Sequence, residues 1–297
     1  MRRLIPVALL LSTIPAVFAF SATKRHPRVH PHPKKVPAPA PAQPAAPAVP
    51  ATLLFSQEFN SYETAVVPGT NVLTSWPLGS DANSKATVGE VEIYCDVQMG
   101  KLWGGPNPFK VADGILTITA QPVTGLPAGL TYTSGMICTA GKFSFQTGYV
   151  EASIRVPGGT GFWPALWMMQ DTGPGGAVVW PPEVDIVQCS SRIPNESYVA
   201  TYSKSSTGSV NEQGGFVTLP GPADGFHVHG FEWTTTTLNW YCDGKLLRTQ
   251  PTPSGFNVPM FLMFNLAVGD DGDWIRKPDG STQSLSIDYL RVWDHKP

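Results

Sequence analysis

Short runs of alternating apolar and polar residues, separated by Gly, Pro and Asp, dominate residues 51–297. Such runs occupy residues 114–120, 148–156 and 237–242, and residues 284–293 have the pattern of a closing strand. Between two runs, Asp243-Gly244 is typical of a two-residue β-hairpin turn. Alternation with a period of two predicts strands that are buried on one face. We therefore predict an all-β fold, a two-sheet sandwich in one domain spanning residues 51–297.

One of these strands, Glu183–Gln188, combines carboxylates with an amide. Strand side chains alternate between faces, so Glu183 and Asp185 point the same way. Strict alternation would next place Val187 on that face, whereas a one-residue bulge would replace it with Gln188. Tryptophans at positions 163, 167 and 180 stand nearby in the sequence. Because glycosidases use paired carboxyl groups and sugar rings stack on aromatic side chains, this pattern indicates sugar chemistry.

The first 50 residues differ in composition from the rest. Residues 1–19 have the pattern of a secretory signal peptide, with Arg2 and Arg3, an apolar run, and a small-x-small site ending at Ala19. The alternative, a membrane anchor, requires about 20 apolar residues, and this run is shorter and contains Pro6 and Pro15. Residues 20–50 form a basic Pro/Ala-rich linker, with nine prolines between positions 27 and 50. We expect a secreted or periplasmic protein.

Charge separates at the same boundary. Seven of the 20 lysines and arginines and none of the 22 acidic residues precede residue 51, which leaves 13 basic against 22 acidic residues and a net charge of −9. This balance excludes nucleic acid as the partner of the folded part, because phosphate binding requires a basic surface. No later segment is apolar for long enough to span a membrane. The four cysteines form either two disulfides, with three possible pairings, or four buried free thiols.

An ordered series of motifs covers most of residues 55–294. Its segments are residues 107–109, 113–118, 133–137, 141–145, 148–157, 161–167, 226–233, 265–269 and 287–293. In this order they resemble glycoside hydrolase family 16, which includes laminarinases, lichenases and bacterial exopolysaccharide depolymerases. The resemblance implies a β-jelly-roll with a concave glycan-binding face and retaining endo-hydrolysis of a β-glucan or bacterial exopolysaccharide by a monomer.

The family's bulged E-x-D-x-x-E signature falls on Glu183–Gln188. Carried over by position, Glu183 resembles the nucleophile and Asp185 the residue that orients it. Gln188 stands where the family places its acid/base glutamate. An amide has no proton to donate near neutral pH, so we expect slow turnover with glycan binding retained. Gln188 is then an inactivating substitution, or the mark of a sugar-binding relative without catalysis, or a loss for which another acid such as Asp185 compensates.

The resemblance also suggests residues that contact the substrate. Trp163, Trp167 and Trp180 are candidates for stacking against sugar rings, with core packing as the alternative. Asn265 is a candidate for hydrogen bonds to substrate hydroxyls, or else satisfies a buried turn. By their place in the family pattern, His229 and Glu232 are core or supporting groups and not a catalytic pair.

We expect no cofactor and no metal in the catalytic chemistry. A structural calcium on Asp270, Asp271 and Asp273 is the one metal site that the pattern offers, and a solvated acidic loop is the alternative. The activity therefore remains open between an endo-β-glycanase impaired by Gln188 and a non-catalytic, lectin-like glycan-binding protein. A structural envelope protein would explain the linker but not the acids.

Overall fold

The computed structural model describes residues 49–60, 89–97, 100–126, 129–173, 179–190, 193, 195–220, 225–269 and 275–297. The proposed signal peptide, nearly all of the linker and the acidic loop at Asp270, Asp271 and Asp273 lie outside these residues. The described part contains 16 strands and no α-helix, so no helix in it could cross a membrane.

Ten strands form the first sheet, in which β14, β13, β12, β7, β16, β4, β5 and β2 are successive neighbours. β1 pairs with β16 and β3 pairs with β4, and only the β2–β5 pair is parallel among the pairs described. The strands are β1 (Leu53–Gln57), β2 (Glu92–Tyr94), β3 (Phe109–Ala112), β4 (Ile115–Pro122), β5 (Tyr132–Ser134), β7 (Gly148–Arg155), β12 (His227–Trp233), β13 (Thr237–Cys242), β14 (Lys245–Pro251) and β16 (Gln283–Trp293).

Six strands form the second sheet, in the order β11, β10, β9, β8, β15, β6. All five of its pairings are antiparallel. The strands are β6 (Met136–Cys138), β8 (Phe162–Gln170), β9 (Glu183–Gln188), β10 (Glu196–Lys204), β11 (Val210–Thr218) and β15 (Met260–Val268).

The core lies between the two sheets and follows the predicted alternation. In β13 of the first sheet, Leu238, Trp240 and Cys242 are buried in it. β8 of the second sheet contributes Leu166 and Met168 to the same core. The Trp240 indole reaches across and donates a hydrogen bond to the backbone oxygen of Asp185 at 2.9 Å, which ties the first sheet to the middle of β9. The predicted two-sheet sandwich is confirmed.

The Asp243-Gly244 hairpin between β13 and β14 is also confirmed. Asp243 and Gly244 both have positive φ, 49° and 74°, as a tight hairpin turn of this kind requires. All four cysteines are buried free thiols. Burial raises the pKa of Cys95 and Cys138 to about 11 and that of Cys189 and Cys242 to about 12.

Candidate active site

β9 contains the predicted bulge. On the side of β8, Leu166 pairs with Val187 and the next residue, Trp167, pairs with Asp185, so Ile186 is the extra residue. Ile186 and Val187 consequently both turn toward the core, where they are 3% and 1% exposed. The shift returns Gln188 to the face that carries Glu183 and Asp185.

We call the outer face of the second sheet around these residues the site face. It is extended by the cross-strand neighbours of β9, since paired residues share a face. Trp167 of β8 and Ala200 of β10 flank Asp185, and Tyr202 of β10 lies beside Glu183. These residues come from separate segments of the chain, and their placement follows from the strand register.

Glu183 is partly buried and held from one side by Trp180. The indole nitrogen of Trp180 donates a hydrogen bond to Oε2 of Glu183 at 2.6 Å. Burial raises the pKa of Glu183 to about 7, against the lowering effects of the Trp180 hydrogen bond and of one to Asp185. Near neutral pH this carboxyl is therefore partly protonated and partly ionised, which is the range where a side chain can exchange a proton.

Asp185 is almost completely buried, with 2% of its surface exposed. Burial, followed by the charges of Glu183 and Glu212, raises its pKa well above the ordinary value for an aspartate. Its Oδ2 has no hydrogen-bond partner within the described residues. A neutral Asp185 can donate its proton to Glu183, and such a bond favours the ionised form of Glu183.

Gln188 is held by its backbone at the end of β9, where its N–H donates to Oγ of the buried Ser197 at 3.0 Å. Its side chain is half-buried on the site face. The carboxamide does not ionise, so β9 offers two titratable groups in the three polar positions of its site face.

The three tryptophans differ in their surroundings. Trp180 is 46% exposed, and its ring lies 6.0 Å from that of Tyr202, centroid to centroid. Trp163 and Trp167 are half-buried on the same face of β8. Trp167 also packs against a small buried cluster that includes Met169. Trp180 therefore has the most surface available for a ligand, whereas Trp167 combines an exposed part with a packing role.

Asn265 links Trp167 to a chain of buried polar groups. Its Oδ1 accepts a hydrogen bond from the Trp167 indole at 2.9 Å, and its Nδ2 donates to the hydroxyl of Tyr94 at 2.8 Å. Tyr94 in turn bonds Glu92, whose Oε2 accepts from the backbone N–H of Val268 at 2.8 Å. These bonds position the Trp167 indole, and contact between Asn265 and substrate stays a prediction. Sequence reasoning missed Glu92 and Tyr94, because β2 is far along the chain from the other residues of the site.

His229 and Glu232 lie on β12 of the first sheet and are not part of the site face. His229 is buried, which lowers its pKa to about 4. Glu232 accepts hydrogen bonds from Asn239 Nδ2 at 2.8 Å and from the Tyr241 hydroxyl at 2.9 Å. Both are supporting groups, as their place in the sequence pattern predicts.

One group of potential metal ligands occurs in the described residues, also on the first sheet. The ligand atoms of His227, Cys242 and Asp243 lie within 4.8 Å of one another. His227 Nδ1 and Asp243 Oδ2 are 2.7 Å apart, and Asp243 Oδ1 accepts from the backbone N–H of Val228 at 2.8 Å. These contacts join the start of β12 to the turn between β13 and β14.

The two-sheet β-sandwich, with its bulged carboxylate strand and tryptophans on one face, places the protein in the class of β-jelly-roll folds. Glycosyl hydrolases family 16 matches residues 96–291, and this chain belongs to that family. Its fold also matches the laminarinase catalytic domain from Thermotoga maritima MSB8, with a TM-score of 0.65 and 27% identity over 83% of this chain and 99% of that one.

Two curated relatives share the same region. The chain is 35% identical over 191 residues to Endo-1,3-1,4-beta-glycanase ExsH of Rhizobium meliloti (strain 1021), covering 63% of this chain and 40% of that protein. It is 31% identical over 204 residues to the Beta-glucanase of Rhodothermus marinus, covering 62% of this chain and 69% of that protein. The chain thus spans well under half of the Rhizobium relative and about two thirds of the Rhodothermus one.

Proposed function

We propose that the folded part of this protein is an endo-acting β-glycanase domain whose site face holds a β-glucan chain and whose turnover is impaired by Gln188. The observation that carries the proposal is the bulge at Ile186, which places Glu183, Asp185 and position 188 on one face. Family membership and the names of the relatives, a glycanase and a glucanase, support the substrate class.

Glu183 is the proposed nucleophile. In its ionised form it would attack the anomeric carbon, and hydrogen bonds from Trp180 and Asp185 would hold its carboxylate in place. Retaining hydrolysis then requires a second carboxyl that protonates the departing sugar oxygen, about 5–5.5 Å away from the first. Gln188 occupies that position on the strand and has no such proton. Because positioned acids typically contribute about 10²–10⁴-fold to the rate, slow turnover is expected.

A second candidate function is glycan binding without hydrolysis. It is favoured by the combination of Gln188 with the raised pKa of Glu183, since a carboxyl with a pKa of about 7 is a nucleophile for only part of the time near neutral pH. Glutamine is nearly isosteric with glutamate, so the shape of the site face and its contacts with sugar hydroxyls would persist.

Reducing-sugar release from laminarin, mixed-linkage β-glucan and a bacterial exopolysaccharide separates the two functions. We expect little release by the protein as it is and an increase of about 10²–10⁴-fold in Gln188→Glu. Gln188→Ala, which also lacks an acid, serves as the matched control and should stay as slow as the unchanged protein. No release by Gln188→Glu, together with measurable glycan binding, would contradict the hydrolase and support the lectin-like function.

We further propose that residues 1–19 direct export and that residues 20–50 act as an extended tether for the folded domain. The basis is the composition of these segments alone. N-terminal sequencing of the exported protein tests this, with a new terminus at residue 20 as the expected result and an intact Met1 as the contradicting one.

A further inference from the structure

Two further strands, β10 and β11, extend the site face to one side of β9. Tyr202 pairs with Glu183 on β9 and with Glu212 on β11, which places the two glutamates in one row across three strands. Adjacent strands are about 4.8 Å apart, so the backbone of Glu212 lies on the order of 10 Å from that of Glu183. Ala200 and Gly214 form the next row, beside Asp185.

Gly214 leaves room for the side chain of Tyr198 to lie across β11. A Cβ atom at position 214 would lie 2.6 Å from the hydroxyl of Tyr198 and 2.9 Å from Cβ of Ala200. The phenol of Tyr198 therefore lies against the backbone of β11 at Gly214. From there its hydroxyl donates a hydrogen bond to Oε1 of Glu212 at 2.6 Å. Burial and the bond to Glu212 raise the pKa of Tyr198 to about 12, so the phenol remains a donor.

Phe216 packs beside Tyr198 on the same face of β10 and β11. It is directly opposite Tyr198 on β11, is 49% exposed, and packs edge-on against the tyrosine with ring centroids 5.2 Å apart. Phe216 and Glu212 both contact Tyr198, so one tyrosine links an aromatic ring and a carboxylate on this face. This is the composition of a sugar-binding position, because apolar faces of sugar rings stack on aromatics and sugar hydroxyls donate hydrogen bonds to carboxylates.

Glu212 has further capacity to accept hydrogen bonds. A carboxylate offers about four lone-pair positions, and Tyr198 uses one of them. The Arg248 side chain approaches β11 at Gly215, where an added Cβ would lie 3.0 Å from Nη1 of Arg248. Successive positions on a strand face opposite ways. Arg248 therefore lies on the opposite face of β11 from Gly214 and Glu212. The row that joins Glu183 to Glu212 is accordingly acidic and disfavours anionic substituents on a bound sugar.

We propose that Tyr198, Glu212 and Phe216 form a glycan subsite on β10 and β11 that binds a neutral sugar ring with free adjacent hydroxyls. The proposal rests on the proposed function, because it requires the same glycan chain to lie across β9. The sugar stacks on Phe216 and donates hydroxyl hydrogen bonds to Glu212, which Tyr198 holds in position. The subsite thus favours an unsubstituted β-glucan over an acid-bearing glycan.

Binding measured by calorimetry on the full chain tests the subsite without requiring turnover. The ligands are laminarin, mixed-linkage β-glucan and carboxymethylated β-1,3-glucan. Phe216→Ala should weaken binding of the neutral glucans by about three- to tenfold, the magnitude of one lost stacking contact. Glu212→Gln should weaken binding of the neutral glucans by a similar factor. It should also reduce the ratio of the affinity for neutral glucan to the affinity for carboxymethylated glucan.

Two variants on the first sheet serve as matched controls. Leu246→Ala removes an apolar side chain that is 50% exposed on β14, and Asp288→Asn removes an exposed carboxylate on β16. Both should bind as the unchanged protein does. Unchanged binding by Phe216→Ala and Glu212→Gln, together with a loss in Trp180→Ala, would refute the subsite and leave the proposed function standing. Absence of glycan binding by the unchanged protein would refute both.

Discussion

Replacement of Glu183 by glutamine should make the folded protein more stable than the unchanged protein near pH 8. Near pH 4 the two should be equally stable. The pKa of Glu183 rises from about 4.5 to about 7 on folding, chiefly through burial. A carboxyl with a raised pKa holds its proton more tightly in the folded state. Above about pH 4.5 the unfolded chain ionises first, so this group lowers the free energy of unfolding as the pH rises toward 7.

The size of the effect follows from the shift. At 1.36 kcal/mol for each pKa unit, a rise from about 4.5 to about 7 corresponds to at most about 3 kcal/mol. Glutamine is neutral at every pH and its carbonyl oxygen can still accept the Trp180 hydrogen bond, so Glu183→Gln removes the ionisation with little change in shape. The advantage of the variant should therefore be absent near pH 4, grow through the window from about 4.5 to 7, and level off above it.

Urea unfolding followed by tryptophan fluorescence, at several pH values between 4 and 8, measures this difference. Glu58→Gln is a control of opposite sign. The Arg291 hydrogen bonds, at 2.7 Å each, lower the pKa of Glu58, so its contribution is present above the unfolded pKa and is lost as the pH falls. Glu58→Gln should thus destabilise the protein near pH 8 more than near pH 4. A Glu183→Gln difference that is the same at both pH values would refute the reasoning.

Two further predictions concern the support of the site face. Asn265→Leu should lower the free energy of unfolding by about 1–3 kcal/mol, because it removes the acceptor of the Trp167 indole hydrogen bond. It should also weaken glycan binding. An unchanged urea midpoint would contradict the role assigned to Asn265. Gly214→Ala should displace Tyr198 and weaken glycan binding about as much as Glu212→Gln does, as calorimetry would show. Gly158→Ala, where the added Cβ meets nothing within 4 Å, is its control, and equal affinities in the two variants would count against the close approach.

The sequence predicted those features that depend on local pattern. Alternation in residues 114–120 and 237–242 located β4 and β13, and the Asp243-Gly244 pair located the hairpin turn between β13 and β14. In both cases the physical cause, side-chain alternation or a positive φ, acts within a few residues of the chain. The residues of β9 left the bulge open as an alternative to strict alternation, and the resemblance to the family signature indicated it.

Features that arise from pairing between distant segments were missed. β11, at the edge of the second sheet, reads Val-Asn-Glu-Gln-Gly-Gly-Phe-Val-Thr and shows no alternation that would assign Glu212 or Phe216 to a face. Asn265 was placed on the site face by family pattern, but its bonds to Trp167 and Tyr94 depend on the meeting of three strands. Only the fold could show that its amide serves another side chain.

The electrostatics of β9 favour holding a sugar over attacking it. With a pKa of about 7, Glu183 carries roughly half a charge near neutral pH, burial raises the pKa of Asp185 well above its ordinary value, and Gln188 has no charge to carry. Covering this face with a sugar ring therefore desolvates little charge, which lowers the cost of binding. A glutamate at position 188 would add a second ionisable group beside Glu183, and repulsion between the two would raise the pKa of one of them. Turnover needs two carboxyl groups with different pKa values, one acting as proton donor and the other as ionised nucleophile. Gln188→Glu would therefore restore hydrolysis and also raise the desolvation cost of binding a sugar on this face.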